Sequence, residues 1–198
     1  MSTTAPIKDE AQLEKFKNYY LTEKPVYRNY ALIILGLNTA FRIGDLLTLR
    51  WEDVFCEEKN SCRDHISIIE QKTGKTRSVA VNDSVRQVLD ILWTERGKTR
   101  EPGQQTCPYL FPNGRKNLTP LSRSQAFRIV KEAAHYAGLD EHISCHSLRK
   151  TFGYHAWKRG VQPALLMELY NHSSYRITRQ YLGIEQEDKD RVYLDVQI

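Results

Sequence analysis

Apolar residues recur at helical spacing over the first fifty positions of the chain, and they predict three helices. The first follows Asp9, a residue type that caps helix N-termini, and the second follows Pro25. The second helix leaves little polar surface between Tyr27 and Leu37, so it is expected in the core. A third, short helix carries the leucines at 46–49.

The spacing then changes to the alternation typical of strands. HISIIE at His65–Glu70 and TRSVAV at Thr76–Val81 flank QKTGK, with Gly74 placed for a turn. This pattern predicts an antiparallel hairpin.

Helical spacing returns in the second half of the chain and continues almost to its end. The predicted helices cover residues 85–92, 121–137 with Ser122 as a cap, a segment starting around 146, 164–170 and 175–182, and a charged tail follows. A loop is expected at 97–105, which holds Pro102 and Gly103. The fold class is therefore mostly α with a small antiparallel β-sheet (α+β). We expect residues 1–8 to be a flexible leader and residues 9–198 to form one domain, because 198 residues suit one sizeable core.

Composition excludes several classes of protein. No apolar run reaches 18 residues and no signal-peptide core follows Met1, so neither a membrane span nor secretion is expected. The four cysteines form no CxxC pair, which argues against a zinc ribbon or a disulfide scaffold and favours reduced thiols in the cytoplasm. Cys56, Cys62 and His65 are near one another but lack a fourth ligand, so no metal site is predicted.

The positive charge is concentrated in one stretch. The chain carries a net charge of +5, and the stretch between Phe111 and Arg159 holds nine basic residues against three acidic ones. Such a local excess is what a phosphate backbone attracts, although a solvated helix face would have the same composition.

Three short motifs in the C-terminal half carry candidate chemistry. HSLR places His146 and Arg149 over one patch of a helix, where both can act on one phosphate. NHSS supplies His172, and Tyr181 follows nine residues later. A free tyrosine hydroxyl has a pKa of about 10, so it needs surrounding cations and a base to act as a nucleophile. Taken alone, Tyr181 would be an ordinary core tyrosine.

Together with two upstream motifs these residues form a recognisable set. TAFRIGDLLTLRWEDV and the hairpin QKTGKTRSVAV contribute the first two of six positions in order: Arg42, Lys72, His146, Arg149, His172 and Tyr181. This set resembles the catalytic domain of the tyrosine recombinases, the phage integrase family, over nearly the whole chain from Asp9.

The resemblance implies a chemistry. Arg42 and Arg149 would clamp the phosphate oxygens, Tyr181 would attack the scissile phosphate to give a 3′-phosphotyrosyl link, and Lys72 would protonate the leaving 5′-oxygen. His146 would take or share the tyrosine proton, and His172 would hydrogen-bond the phosphate. No cofactor or metal is implied. Lys75, on the other side of Gly74, competes with Lys72 for the role of general acid.

The resemblance also implies partners. The expected ones are double-stranded DNA, a homo-tetramer assembled on it and accessory DNA-bending proteins, in integration or recombination of a mobile element. Candidate DNA contacts are Lys75, Arg77, Arg123, Lys150, Arg176 and Arg179. The apolar residues of the tail, such as Tyr193 and Leu194, can pack on a neighbouring protomer or fold back on their own domain.

The sequence departs from the family pattern in four places. Lys150 and Asn171 replace a histidine and a glycine, Asp45 stands where glutamate is more usual, and residues 1–8 hold no counterpart of the N-terminal core-binding domain. Asn171 can still adopt the left-handed turn conformation that a glycine would supply there.

Two other functions remain as alternatives. Residues 163–182 can be written as a helix-turn-helix of a DNA-binding regulator without chemistry, but this leaves Arg42, Lys72 and HSLR without a role. A type IB topoisomerase-like activity would use the same tyrosine chemistry.

Overall fold

A computed structural model describes residues 4–98, 107–114, 118–139 and 142–196 of the chain. The described part is mostly helical with two small antiparallel sheets, which confirms the predicted fold class. The helices are α1 (Glu10–Thr22), α2 (Tyr27–Thr39), α3 (Ile43–Leu47), α4 (Trp51–Val54), α5 (Asp83–Lys98), α6 (Arg123–Tyr136), α7 (Cys145–Lys158), α8 (Pro163–Tyr170), α9 (Tyr175–Leu182) and α10 (Gln186–Asp195). The strands are β1 (Phe55–Cys56), β2 (Ser61–Cys62), β3 (His65–Ile69) and β4 (Thr76–Ala80).

Side-chain caps start the helices where the sequence predicts them. Asp9 Oδ1 accepts a hydrogen bond of 2.7 Å from the backbone N–H of Gln12 at the start of α1. Ser122 and Gln125 form a reciprocal capping box at α6. These bonds satisfy backbone donors that the first turn of a helix leaves without a partner.

Helix α2 lies at the centre of the core and packs against α1, α5 and α7. Its residues Leu32, Ile33 and Leu35 have no exposed surface, as its apolar sequence predicts. Gly36 lets α7 approach closely, because a Cβ at that position would lie 2.6 Å from Cδ1 of Leu148. The approach brings the N-terminal half of α7, with HSLR, onto the end of α2.

The predicted hairpin is present. β3 pairs with β4 in the register His65↔Ala80 to Ile69↔Thr76, and Gly74 turns the chain with a φ of +67°. The pair β1–β2 and helix α4 were not predicted, because two to four residues are too few to show a period. At the end of α5, Gly97 and Lys98 are helical rather than part of the predicted loop, whose residues 99–105 lie outside the described ranges.

Residues 4–8 correct the expectation of a flexible leader. Ile7 is 1% exposed, and its backbone N–H donates to Oγ1 of Thr151 on α7 at 2.9 Å. Lys8 reaches the carboxylate of Asp188 on α10 at 3.4 Å. One apolar side chain and these polar contacts hold the segment, which we call the N-terminal strap, between α7 and α10.

The charged tail is largely helical. Glu185 and Asp188 form a reciprocal capping box at the start of α10. The sequence predicts only a charged tail here, because these two residues belong to a run of charged side chains. Within the described residues, no helix has both the length and the apolar character needed to cross a membrane.

Candidate active site

The first arginine of the set is held by a carboxylate at the end of the hairpin. Arg42 precedes α3, and its Nη1 lies 2.8 Å from Oε2 of Glu70. Thr73 donates to the same oxygen at 2.8 Å, and Arg77 Nη1 lies 3.5 Å from Oε1. Burial acts to raise the pKa of Glu70, but Arg42, Thr73 and Arg77 outweigh it and hold that pKa below its ordinary value. Glu70 is therefore an anion that orients Arg42.

The second arginine is locked from several sides. Arg149 on α7 is 3% exposed, donates to the carbonyl of Ala40 and lies 4.7 Å from the centre of the Tyr170 ring. The Tyr170 hydroxyl donates back to the Arg149 carbonyl at 2.9 Å. Ala40 ends α2 with a left-handed φ of +51°. The end of α2 and helix α8 therefore fix the guanidinium before any substrate arrives.

Tyr181 lies on the inner face of α9 against both histidines. Its ring centre is 5.1 Å from that of His146 and 5.0 Å from that of His172, edge-on in each case. The hydroxyl oxygen is buried and makes no hydrogen bond of ordinary geometry with the described residues. Burial raises the pKa of Tyr181 to about 12, against the opposing effect of Arg149 and Arg42. The group is thus a neutral phenol at pH 7, and it needs a base to attack.

His146 is in the protonation state that such a base needs. Burial, followed by the charges of Lys150 and Arg149, lowers the pKa of His146 to about 4. The imidazole is therefore neutral at pH 7 and can accept a proton.

His172 is oriented by a threonine of α9. Its Nδ1 lies 3.0 Å from Oγ1 of Thr178, a side chain with no exposed surface, and its ring stacks on Tyr170. Burial, with Arg149 and Arg42, lowers the pKa of His172 as well. The Thr178 hydroxyl donates to the carbonyl of Ser174 at 3.4 Å, so its oxygen accepts from Nδ1–H of His172, and the neutral ring has an unprotonated Nε2.

The two candidate acids sit on the turn of the β3–β4 hairpin. Lys72 is exposed and forms no hydrogen bond or ion pair with the described residues. Lys75 is also exposed, and its Nζ lies 3.4 Å from Oδ1 of Asn171, next to His172. Asn171 has a φ of +54°, which confirms the predicted left-handed conformation. The structure therefore brings the hairpin turn to the edge of the site but places neither ammonium inside it.

Among the predicted DNA contacts, Arg123, Arg176 and Arg179 are exposed, as Lys75 is. Two predictions are corrected. Arg77 donates to the carbonyls of Leu169 and Thr39 and ties the hairpin to the ends of α8 and α2. Lys150 is 5% exposed and donates to the carbonyl of Thr4. Both side chains are used inside the protein.

A basic groove opens beside His146. Its volume is about 1140 Å³, and α6 supplies Arg123, Phe127, Arg128 and Lys131 to its wall. His142 and Ile143 also line the groove. Arg115 and Lys116, counted in the basic excess, lie outside the described residues.

Sequence reasoning missed Glu70 and Thr178. Glu70 has a detectable signal: it directly follows β3 and continues the inward alternation of Ile66 and Ile68, so a carboxylate takes an inward position. Thr178 lies one helical turn before Tyr181, which places both on one face of α9.

The whole set lies within the stretch that matches a known family. The model of the phage integrase family matches residues 8–187. The chain belongs to the phage integrase family. Its relatives include the probable integrase/recombinase YoeC of Bacillus subtilis (strain 168), 37% identical over 193 residues, which are 98% of this chain and 97% of that protein. Tyrosine recombinase XerD of Mycobacterium leprae is 32% identical over 79% of this chain and 48% of its own length. This family member is thus a tyrosine-type site-specific recombinase, and it spans about half the length of XerD.

Solved structures share the fold. The crystal structure of XerA recombinase superposes with a TM-score of 0.73 at 20% identity over 97% of this chain and 65% of that one. XerH bound to a palindromic difH substrate in a post-cleavage complex gives a TM-score of 0.72 at 23% identity over 98% of this chain and 53% of that one. The fold of this integrase-family chain is therefore that of tyrosine recombinase catalytic domains.

Proposed function

We propose that the protein cleaves and rejoins DNA strands through a 3′-phosphotyrosyl intermediate on Tyr181, in integration or recombination of a mobile element. The observation that carries the proposal is the setting of the Tyr181 hydroxyl, which is buried beside two neutral histidines and two fixed arginines. A regulator that only binds DNA has no need of this arrangement.

In the first step, Oη of Tyr181 attacks the scissile phosphorus and the bond from phosphorus to the 5′-oxygen breaks. Negative charge grows on the non-bridging oxygens, and Arg42 and Arg149 stabilise it. Their fixed positions supply this stabilisation without reorganisation during the reaction.

Two protons move in that step. The Tyr181 proton passes to His146, and Lys72 gives a proton to the leaving 5′-oxygen. His172 hydrogen-bonds the phosphate from Nε2 as an imidazolium, the form that a neighbouring anion favours, while its Nδ1–H donates to Thr178. Attack by a second 5′-hydroxyl on the phosphotyrosyl bond reverses the sequence and rejoins the strands, so the energy of the phosphodiester is retained.

Double-stranded DNA is the proposed partner, and the basic groove is the proposed site of its backbone. Arg123, Arg128 and Lys131 supply cations there, next to His146. Exposed Arg176 and Arg179 on α9 would contact the duplex on the other side of the nucleophile.

We further propose a homo-tetramer on two duplexes, assisted by DNA-bending proteins. Val192, Tyr193, Leu194 and Val196 on and after α10 are 57–81% exposed, which supports packing on a neighbouring protomer over folding back. The four cysteines are free thiols, which supports a reducing compartment such as the cytoplasm.

The test uses nicked duplexes with randomised centres, incubated with the wild type and with Tyr181→Phe in excess chelator. On a denaturing gel we expect a shifted, protease-sensitive DNA band with the wild type alone, because the variant lacks only the attacking oxygen. We expect Tyr181→Phe to reduce attachment more than about a thousandfold while DNA binding is kept.

An equal band in both samples would reject Tyr181 as the nucleophile. Binding without a band in either would favour the non-catalytic regulator. Sequencing the attached DNA would begin to define the recognised site.

A further inference from the structure

Lys150 is a buried cation that the proposed reaction does not use. It follows Arg149 on α7 and lies one helical turn after His146, so the two side chains share a face of the helix. It forms no ion pair with the described residues, and its Nζ donates to the carbonyl of Thr4 in the N-terminal strap. A lysine that is 5% exposed is costly, and burial lowers the pKa of Lys150. Its place in the interior therefore needs an explanation.

The ammonium lies against the nucleophile. Nζ of Lys150 is 5.4 Å from the centre of the Tyr181 ring, within the range in which a cation is attracted to an aromatic face. The attraction grows as the tyrosine loses its proton, because the ring then gains negative charge.

The same ammonium lies near the proposed base. The groups around His146 are Lys150 and Arg149 on α7, Arg42 before α3, His172 after α8 and the ring edge of Tyr181 on α9. Among these charges, Lys150 has the largest effect in keeping the pKa of His146 low.

The carbonyl that accepts from Lys150 belongs to the N-terminal strap, which contacts α7, the end of α9 and α10. Ile7 of the strap is bonded to α7 through Thr151, and Lys8 is paired with Asp188 on α10. Pro6 packs on Gly183 at the end of α9, where a Cβ would be 3.1 Å from the proline ring. Movement of the strap would therefore shift both Lys150 and the end of α9, the helix that carries Tyr181.

We propose that Lys150 is a positioning residue for the nucleophile, which links the N-terminal strap to the ring of Tyr181 and maintains a positive charge beside His146. This rests on the proposed roles of Tyr181 and His146. A phosphate contact is a poorer explanation for Lys150, since its side chain is covered and already bonded to Thr4.

The first test needs no DNA. Wild type, Lys150→Met, Lys150→Arg and Lys158→Met are labelled with ¹⁵N-histidine, and the ring nitrogens of His146 are followed by NMR against pH, with His146→Asn for assignment. Lys158 is the matched control, because it is also on α7 but pairs with Glu10 at the surface. We expect His146 to become protonated at higher pH in Lys150→Met alone, because a positive neighbour is lost.

The second test measures covalent attachment to the nicked-duplex library as a function of pH. We expect Lys150→Met to attach about tenfold more slowly at pH 7 with unchanged DNA binding. Because the base must be neutral, the rate falls as pH drops through the pKa of His146, so this fall should occur at higher pH in Lys150→Met. Lys150→Arg should restore the wild-type pH profile and most of the rate, and Lys158→Met should match the wild type in both.

An unchanged His146 titration together with wild-type attachment in Lys150→Met would overturn the proposal. So would a slower rate that Lys150→Arg does not recover and that follows a lower melting temperature, since that pattern describes packing alone. A shifted His146 titration in a protein whose wild type attaches to no DNA would uphold the placement of Lys150 beside His146 and reject the proposed function instead.

Discussion

The two sides of the proposed reaction centre differ in how they are built. The nucleophile side is buried: Arg149 is covered by Ala40 and Tyr170, and Tyr181 faces two neutral histidines. The leaving-group side is an exposed hairpin turn, on which Lys72 forms no bond with the described residues. Groups that stabilise transition-state charge act best when they are fixed in a low-dielectric setting. A proton donor on a turn can instead close onto the substrate after DNA binds.

The largest effect on the rate of covalent attachment is expected for a substitution on the nucleophile side. Arg149→Ala should slow covalent attachment to the nicked-duplex library by about two to three powers of ten and weaken DNA binding only slightly, because the guanidinium is needed in the transition state. Attachment rate and gel-shift affinity are measured on the same duplexes. Arg149→Lys is the companion variant, and it should remain defective because an ammonium lacks the two-pronged geometry. Equal losses of binding and attachment would mean that Arg149 only holds the DNA backbone.

A substitution on the leaving-group side should slow attachment less, and a substrate with a better leaving group should restore the rate. Lys72→Met should slow attachment by about a hundredfold, whereas Lys75→Met should slow it only about threefold, because its contact with Asn171 supports the turn. Replacing the leaving 5′-oxygen of the substrate by sulfur should restore the rate of Lys72→Met, since a thiolate leaves without a proton. Restoration of Lys75→Met instead would assign the acid to Lys75 and reject Lys72.

The smallest expected effect is on stability, at Glu70, whose carboxylate lies between Arg42 and Arg77. Glu70→Gln removes the charge between Arg42 and Arg77, and it should lower the free energy of unfolding at pH 7 by about 2 kcal/mol. Because the folded-state pKa of Glu70 is lowered, its stabilisation is present above the ordinary carboxyl pKa of 4.5 and is lost as pH falls through the folded value.

Urea unfolding at pH 7 and at pH 3 measures this contribution. The gap between wild type and Glu70→Gln should narrow at the lower pH. A gap of constant size would show that the charge of Glu70 contributes nothing to stability.

The order of the helices and the central hairpin were predictable because each carries a strong local signal. The stripe of α2, the cap at Ser122 and the alternation around Gly74 all act over a few neighbouring residues. The tail was predicted only as charged, since the apolar residues of α10 remain exposed and give no core-facing stripe. The N-terminal strap gives no sequence signal, because one buried isoleucine in five residues shows no period.

The candidate site was only partly predictable for a related reason. The resemblance selected Arg42, Lys72, His146, Arg149, His172 and Tyr181, and the structure brings together those on the nucleophile side. The sequence does not distinguish basic residues that face solvent from basic residues that donate to backbone carbonyls. The sequence therefore predicts DNA contacts at Arg77 and Lys150, whereas in the structure the two side chains donate to the carbonyls of Leu169 and Thr4.

The sequence by itself determined the fold class, because helical and strand periods are local, and its six ordered motif positions carried the resemblance that named the family and the residue types of the chemistry. Only the tertiary structure decided which charged side chains line the candidate site and which bind other groups of the protein. Glu70 meets Arg42, and Lys150 meets the strap, across 28 and 146 positions of chain. Contacts at such separations depend on how the elements pack, and burial then sets whether a phenol, an imidazole or an ammonium keeps its ordinary pKa.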